Sequence, residues 1–256
     1  MLRATIASLT LLSLVACSTP RLDATARYGQ YDLDGEVGLG SSGVTASNDF
    51  SDLGLDGDSS DAGAIVDFKW GSPHLTISTQ SSAYSGDGTL ASDVSFDGDT
   101  IGAGSSVSSD LDLGLTTAAL TFDMVPGPVE LGIGFGVTLL DLDMQFVEAG
   151  TGTEVTTDEQ APIPVLAARA GFEIGSFEIS GLLSGLSVDV DDFEASMFDL
   201  DISGRWNFVG GDDHLGGSLV LGWRDVDLDL EYEDDADFVN LDFGYSGPYV
   251  GLLLRF

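Results

Sequence analysis

Apolar and polar residues alternate with period two along most of this 256-residue chain, in segments of about ten residues or more. That period belongs to strands, in which successive side chains point to opposite faces. One face can therefore be read against the other. Leu131, Ile133, Phe135 and Val137 oppose Gly132, Gly134, Gly136 and Thr138. Ala62, Ala64, Val66, Phe68 and Trp70 oppose Asp67 and Lys69. Phe198, Leu200, Ile202, Trp206 and Phe208 oppose Asp199, Asp201, Arg205 and Asn207. Helical periodicity is nearly absent, and no apolar run beyond the first residues reaches the roughly 20 that a spanning helix needs. Tight turn signals at Gly71-Ser72-Pro73, Pro126-Gly127-Pro128, Gly175-Ser176 and Gly210-Gly211-Asp212-Asp213 alternate with longer polar connections near 41–60, 85–109, 147–161, 189–193 and 232–236. Four short turns, with both termini on the same side, make five hairpins. The expected strands lie near 28–40, 61–71, 74–84, 110–125, 129–146, 162–175, 176–190, 194–209, 214–232 and 237–256. The count is ten, with eight as the alternative.

The charge balance limits what such a sheet can be. The formal net charge is −35, from 43 acidic and 8 basic residues, yet the mean hydropathy is positive at +0.19. A soluble sandwich needs a wet face, and this chain has almost no Lys or Arg to coat one. An apolar outer wall around a polar lumen reconciles the two numbers. Nucleic acid is excluded as a partner, because nothing would neutralise its phosphates. A basic patch for anionic lipid is excluded on the same ground. The acidity serves solvation, in a salty habitat for example, or a role involving cations.

The chain ends in Tyr249-Val250-Gly251-Leu252-Leu253-Leu254-Arg255-Phe256, with Val250, Leu252, Leu254 and Phe256 on one face. A terminal aromatic on an alternating strand resembles the assembly signal of bacterial outer-membrane β-barrels. With the alternation and the turn pattern, it makes the chain similar to small members of that class. The resemblance implies an all-β, closed, antiparallel up-and-down transmembrane barrel in the bacterial outer membrane, porin-like in build. It also implies the barrel assembly machinery, outer-membrane lipids and lipopolysaccharide as partners, with Phe256 as the assembly signal. Trp70 and Trp206, on the apolar face beside short turns, fit an interfacial aromatic girdle. Residues 1–16 read as a secretory signal, with Arg3 ahead of an apolar stretch. The ending Leu14-Val15-Ala16-Cys17 resembles a lipobox, which makes Cys17 a lipidation site; ordinary cleavage near Ala16 is the alternative. Residues 17–27 then form a short tether, and 28–256 the barrel. Cys17 is the only cysteine, so no internal disulfide forms.

Several segments change phase. The apolar positions in 129–146 are odd up to Leu139 and even from Leu140; in 214–232 they are odd to Trp223 and even from Val226. Similar changes fall near Thr116-Thr117 and Leu183-Ser184. A slip of one residue turns over every side chain, and a β-bulge absorbs it. Bulges are expected there, unless the strand has left the bilayer and the meaning of its faces has reversed.

Two charged groups stand out. Asp67, Lys69, Asp123, Glu130, Arg169, Glu173, Glu178, Arg205 and Arg224 fall on inward positions of the periplasmic half. Buried charge must be paired, and a barrel of this size is filled by its own side chains. These residues read as a lumen plug; a gate is the functional alternative. Acids spaced by two run through Asp110 and Asp112, Asp141 and Asp143, Asp189 and Asp191, Asp199 and Asp201, and Asp225, Asp227, Asp229 and Glu231. They are assigned to the extracellular half. Crowded carboxylates repel, and hard cations relieve the repulsion. Asp141, Asp143, Asp225, Asp227 and Asp229 are therefore candidate sites for weakly bound Ca²⁺ or Mg²⁺, and no other cofactor is expected.

The histidines, His74 and His214, both follow short turns and so belong to the periplasmic end. Omptin-like proteases resemble the chain in strand number and in their acidic lip, but they need a histidine at that lip. Barrel lipases and deacylases pair Ser with His near the outer surface. Neither pattern is met. A non-enzymatic envelope or surface-interaction protein is the leading expectation. A narrow cation-favouring channel comes second, and a membrane-embedded hydrolase third.

Overall fold

In the computed structural model the chain is a closed antiparallel barrel of ten long strands. Residues 20–41, 47–57, 59–96, 99–125, 129–190, 193–209, 215–234 and 237–256 are described. The wall runs in sequence order through β1 (Arg21–Ser41), β3 (Ser59–Lys69), β4 (Pro73–Thr89), β7 (Ser106–Asp123), β8 (Val129–Glu148), β9 (Glu154–Ile174), β10 (Phe177–Val190), β11 (Phe193–Val209), β12 (Gly216–Asp234) and β13 (Asp237–Arg255). β13 pairs with β1 from Asp23↔Arg255 to Ser41↔Asp237 and closes the ring. Phe256 N donates to Leu22 O at 2.8 Å and fixes the seam at its lower end. Three short strands sit among the loops: β2 (Asn48–Asp49), β5 (Val94–Phe96) and β6 (Asp99–Ile101).

The first strand begins at Arg21. Residues 21–27, expected as a tether, are the opening of β1, with Leu22, Ala24, Ala26 and Tyr28 alternating against Asp23, Thr25 and Arg27. Most strands are also longer than expected. β9 reaches back to Glu154, so the connection expected at 147–161 shrinks to residues 149–153.

The expected bulges are absent. The registers β7–β8, β8–β9 and β12–β13 run unbroken past Thr116, Leu139 and Trp223, and β10–β11 runs unbroken past Leu183. The shift recorded among the described residues lies between Asn207 and Val209. What changes along each strand is the polarity of its two faces, not their direction. On β8 the even residues point inward throughout: Glu130, Gly132, Gly134, Gly136 and Thr138, then Leu140, Leu142, Met144 and Phe146. The odd residues point outward: Val129 to Leu139 are apolar, then Asp141 and Asp143 follow. β12 repeats the inversion, with Ser218 and Arg224 below Val226, Leu228 and Leu230 inside, and Leu219, Leu221 and Trp223 below Asp225, Asp227 and Asp229 outside. β1 and β13 do the same.

The lower half of the barrel is thus greasy outside and ionic inside, as lipid demands. The upper half is the reverse, with an acidic exterior around an apolar core, as water demands. On β8 the outward apolar run covers Val129 to Leu139; at about 3.3 Å per residue and a tilt near 40° it spans about 25 Å, one membrane thickness. The remainder protrudes.

Two loop segments complete the upper core. Residues 47–57 fill the wall above the short β3. Phe50 N donates to Gly35 O (2.9 Å) on one side, and Thr89 N donates to Asp52 O (2.9 Å) on the other. The segment lies against the inner face of β4, where a Cβ on Gly86 would sit 2.0 Å from Gly54 O and one on Gly88 2.1 Å from Asp52 O. The β5–β6 hairpin touches both β1 and β9, on opposite sides of the ring, and so crosses the mouth. Asn48 Oδ1 accepts from Ala91 N (2.8 Å) and Ser92 N (3.0 Å), tying the two segments together. They bury Phe50, Leu53, Leu55, Leu90, Val94 and Ile101 in the same core as the strands' own side chains.

Candidate functional site

The inward residues of the lower half form one ion-pair network. Each comes from the inward register of its strand, and strand pairing brings the strands' contributions to common levels. At the lowest level Asp23 accepts from Arg21 (2.6 Å) and Arg255 (3.0 Å), and Lys69 bridges Glu130 (2.5 Å) and Asp123 (2.8 Å). Asp67 lies above them, 5% exposed, with Arg169 and Arg205 each at 3.4 Å. Glu178 accepts from Arg205 at 3.2 Å. His74 Nε2 is 3.4 Å from Asp67 Oδ1.

A second level follows. Arg27 donates to Asp201 (2.7 Å) and Ser78 (3.0 Å) and lies over the Tyr249 ring, 5.3 Å from its centroid. Arg224 holds Asp199 with two bonds (2.8 and 3.1 Å) and donates to Gln80 Oε1 (2.9 Å). Gln80 reaches the Tyr245 hydroxyl, which bonds to Asp61 at 3.0 Å. The Tyr31–Tyr245 stack, 4.5 Å between centroids, caps this level and begins the apolar core above it.

Seven cations meet seven carboxylates in these pairs: Arg21, Arg27, Lys69, Arg169, Arg205, Arg224 and Arg255 against Asp23, Asp67, Asp123, Glu130, Glu178, Asp199 and Asp201. Every basic residue from Arg21 onward is among them. The seven pairs balance one another; Asp61, buried above them, adds a carboxylate held by the hydroxyls of Ser59, Ser82 and Tyr245, and most of the chain's charge is carried elsewhere. Within the network lie cavities of about 40 and 10 Å³, with room for a few water molecules.

Of the nine inward residues singled out from the sequence, eight join this network. Glu173 is half-exposed at the lower rim and takes no part in the ion pairs. Arg21, Asp23, Arg27 and Arg255 were missed. The first three fell in the supposed tether, although the alternation of Leu22, Ala24, Ala26 and Tyr28 marked a strand. Asp199 and Asp201, expected on the inward face but in the extracellular half, face inward as expected and belong to the lower lumen, paired to Arg224 and Arg27.

Asp110, Asp112, Asp141, Asp143, Asp225, Asp227, Asp229 and Glu231 stand on the outer face of the protruding half. Asp143 sits opposite both Asp112 and Asp158, and Asp242 opposite both Asp229 and Glu36. Burial, then the charges of Asp229, Glu36, Asp227 and Asp34, push the Asp242 carboxyl above the usual carboxylate range. Among the described residues no group of three or more His, Cys, Asp or Glu has metal-binding geometry. Cys17 and His214 lie outside the described residues, as do Asp191 and the turns at 126–128 and 210–213. Phe256 points outward, 60% exposed.

Aromatic side chains mark both edges of the apolar band. Trp70 packs on Phe68 (4.9 Å), and Trp206 near Phe208 (6.3 Å), beside the short turns. Tyr28 and Trp223, 56% and 49% exposed, stand where the outer face turns acidic.

No protein-family model matches the sequence, and no curated protein does. Solved structures do. The outer-membrane protease OmpT of Escherichia coli aligns with a TM-score of 0.52 at 8% identity, covering 94% of this chain and 100% of that one. This is the outer-membrane barrel fold. Ail of Yersinia pestis aligns at 10% identity over 92% and 99% of the two chains, with a TM-score of 0.38. The transport unit of the autotransporter AIDA-I from Escherichia coli aligns at 8% identity over 98% and 96%, with a TM-score of 0.34. At these identities the likeness concerns the fold. The closed barrel with its lipid-facing apolar band is that of a bacterial outer-membrane protein.

Proposed function

We propose that this barrel is a sealed, non-enzymatic envelope protein that presents an acidic surface outside the cell. The balanced seven-by-seven ion-pair network carries the reading. Its side chains span the lumen, and an ion crossing it would have to break bonds between buried charges, each costing several kcal/mol to leave unpaired. The segments 47–57, 90–96 and 99–105, laid into and across the mouth, support the same reading from above. Catalysis would need a reactive group within reach of substrate; His74 is 4% exposed inside the floor. The test is conductance in planar bilayers. The wild-type barrel should be silent, and reproducible cation-selective steps would favour the channel instead.

The acidic exterior would meet lipopolysaccharide phosphates through Mg²⁺ or Ca²⁺, since every basic side chain among the described residues is engaged inside. The rows Asp112–Asp143–Asp158 and Glu36–Asp242–Asp229 are the proposed places. A lipid on Cys17 would be held at the periplasmic rim, because the four residues from there to Arg21 reach at most about 14 Å.

A further inference from the structure

β9 and β10 separate partway up the wall. Their ladder runs from Ile174↔Phe177 to Leu166↔Gly185 and stops, although β9 continues to Glu154 and β10 to Val190. Each stays paired on its other side, β9 to β8 as far as Glu154 and β10 to β11 as far as Val190. Pro162 and Pro164 occupy β9 just above the separation. Proline has no N–H to give a ladder and is tolerated where that side of the strand is free.

A cleft of about 770 Å³ opens at the fork. It lies within the range of small-molecule sites, about 300–1,000 Å³. Its walls combine two kinds of residue. Phe135, Leu166 and Phe198 belong to the lipid-facing surface, at 60%, 61% and 41% exposure, whereas Ala167, Ser184 and Met197 face the lumen and are buried. The cleft therefore passes into the wall. Leu166 pairs with Phe135, and β8 continues its apolar outer face above that level through Val137 and Leu139. The opening is thus bathed by the lipid chains of the outer leaflet.

Ser184 lines the cleft at 1% exposure, and its Oγ has no hydrogen-bond partner among the described residues. A buried hydroxyl left unpaired is costly, and one at the inner edge of an apolar cleft is a recognition group for an oxygen that enters it. Asp199, the cross-strand partner of Ser184, already holds Arg224, so that cation is not free to receive an anionic head. The outward residues above the fork include Asp158, Glu194 and Asp227, and the described basic side chains are held in the lumen.

We infer that the fork is a binding site, reached from the membrane, for an uncharged single-chain amphiphile carrying a hydroxyl or ester oxygen. The alkyl chain lies among Phe135, Leu166 and Phe198, and the oxygen meets Ser184 Oγ. The site does not depend on the lumen being sealed.

The test uses the full barrel in phospholipid vesicles, with Cys17→Ser and a reporter cysteine at Ala167→Cys. Dodecyl methanethiosulfonate should modify the reporter faster than the water-soluble 2-sulfonatoethyl reagent, by intact mass. n-Dodecanol should protect it saturably, and n-dodecane and laurate should protect it poorly. Ser184→Ala should weaken protection by dodecanol about tenfold, the loss of one hydrogen bond. Leu166→Trp, an exposed change that leaves the interior alone, should slow the alkyl reagent. If Ala167→Cys does not assemble, Leu186→Cys in the same cleft replaces it. Equal reaction with the water-soluble reagent would make the fork an aqueous opening. Equal protection by dodecane would make it a resting place for any lipid chain. Protection indifferent to Ser184→Ala would remove the recognition group. Each of these results overturns the inference.

Discussion

Arg224 shows at one residue how the lower lumen is held. It is 1% exposed, grips Asp199 with two bonds and donates a third to Gln80. Removing one member of a buried ion pair leaves the other charged and unsolvated, at a cost of about 3–5 kcal/mol, whereas replacing both by apolar groups of similar volume comes close to neutral. Arg224→Met should therefore destabilise the barrel by about that amount, and adding Asp199→Leu should recover most of it. Urea-dependent unfolding followed by heat-modifiable gel mobility measures both. Equal instability of the single and double variants would mean that Arg224 acts through Gln80 and the tyrosines beyond it. This pair also shows what spacing conceals. Asp199 and Asp201 stand two apart, like the outer acids, and nothing in that spacing distinguishes the inner face from the outer. Only the strand's own direction, fixed by Trp206 and Phe208 lower down, assigns them to the lumen.

At the level of strands, alternation was the legible quantity for most of their extent, and the short turns gave their number. The expected bulges came from taking apolar residues as a marker of one face. They mark one environment instead. Where β8 leaves the lipid at Leu139, water replaces hydrocarbon outside and a packed core replaces the ion pairs inside, so the pattern inverts while the backbone continues straight. The β9–β10 separation was illegible for a different reason. Pro162 and Pro164 were visible, but which neighbour they fail to bond depends on a pairing the sequence does not state. Restoring an N–H with Pro164→Val should lengthen the β9–β10 ladder. Hydrogen exchange should then slow at residues 163, 165, 186 and 187, and unchanged exchange would show that side-chain packing, not proline, holds the strands apart. The seam between β13 and β1 makes a separate prediction. Deleting Phe256 removes the bonds between Phe256 and Leu22 and the last outward aromatic, and the fraction of chain recovered as folded barrel in the outer membrane should fall. Undiminished assembly would deny the terminal residue that role.

Taken whole, the molecule is one set of strands carrying two barrels of opposite polarity, and its charge is divided just as unequally. The ion pairs of the lower lumen balance one another, so the net charge of −35 must be accommodated largely outside them, and the protruding half carries like charges directly opposite one another. Such pairs destabilise a sheet. The Asp242 carboxyl shows the consequence, pushed up by burial and by its acidic neighbours. A carboxyl whose folded pKa lies above its unfolded value binds more proton in the folded state, so the folded state loses stability as pH rises through that interval. Lowering the pH from 7 towards 5 should accordingly raise the unfolding temperature of the barrel in neutral detergent. Millimolar Mg²⁺ at pH 7 should reproduce part of the rise, and Asp242→Asn should reduce the response to both. If the repulsion is diffuse, monovalent salt at equal ionic strength will do as well as Mg²⁺; if Mg²⁺ bridges carboxylates of neighbouring strands, it will act at concentrations where screening is negligible. A midpoint that instead falls between pH 7 and 5 would mean that the acids of the protruding half are stabilised as anions, and the two-polarity account of the barrel would lose its electrostatic half.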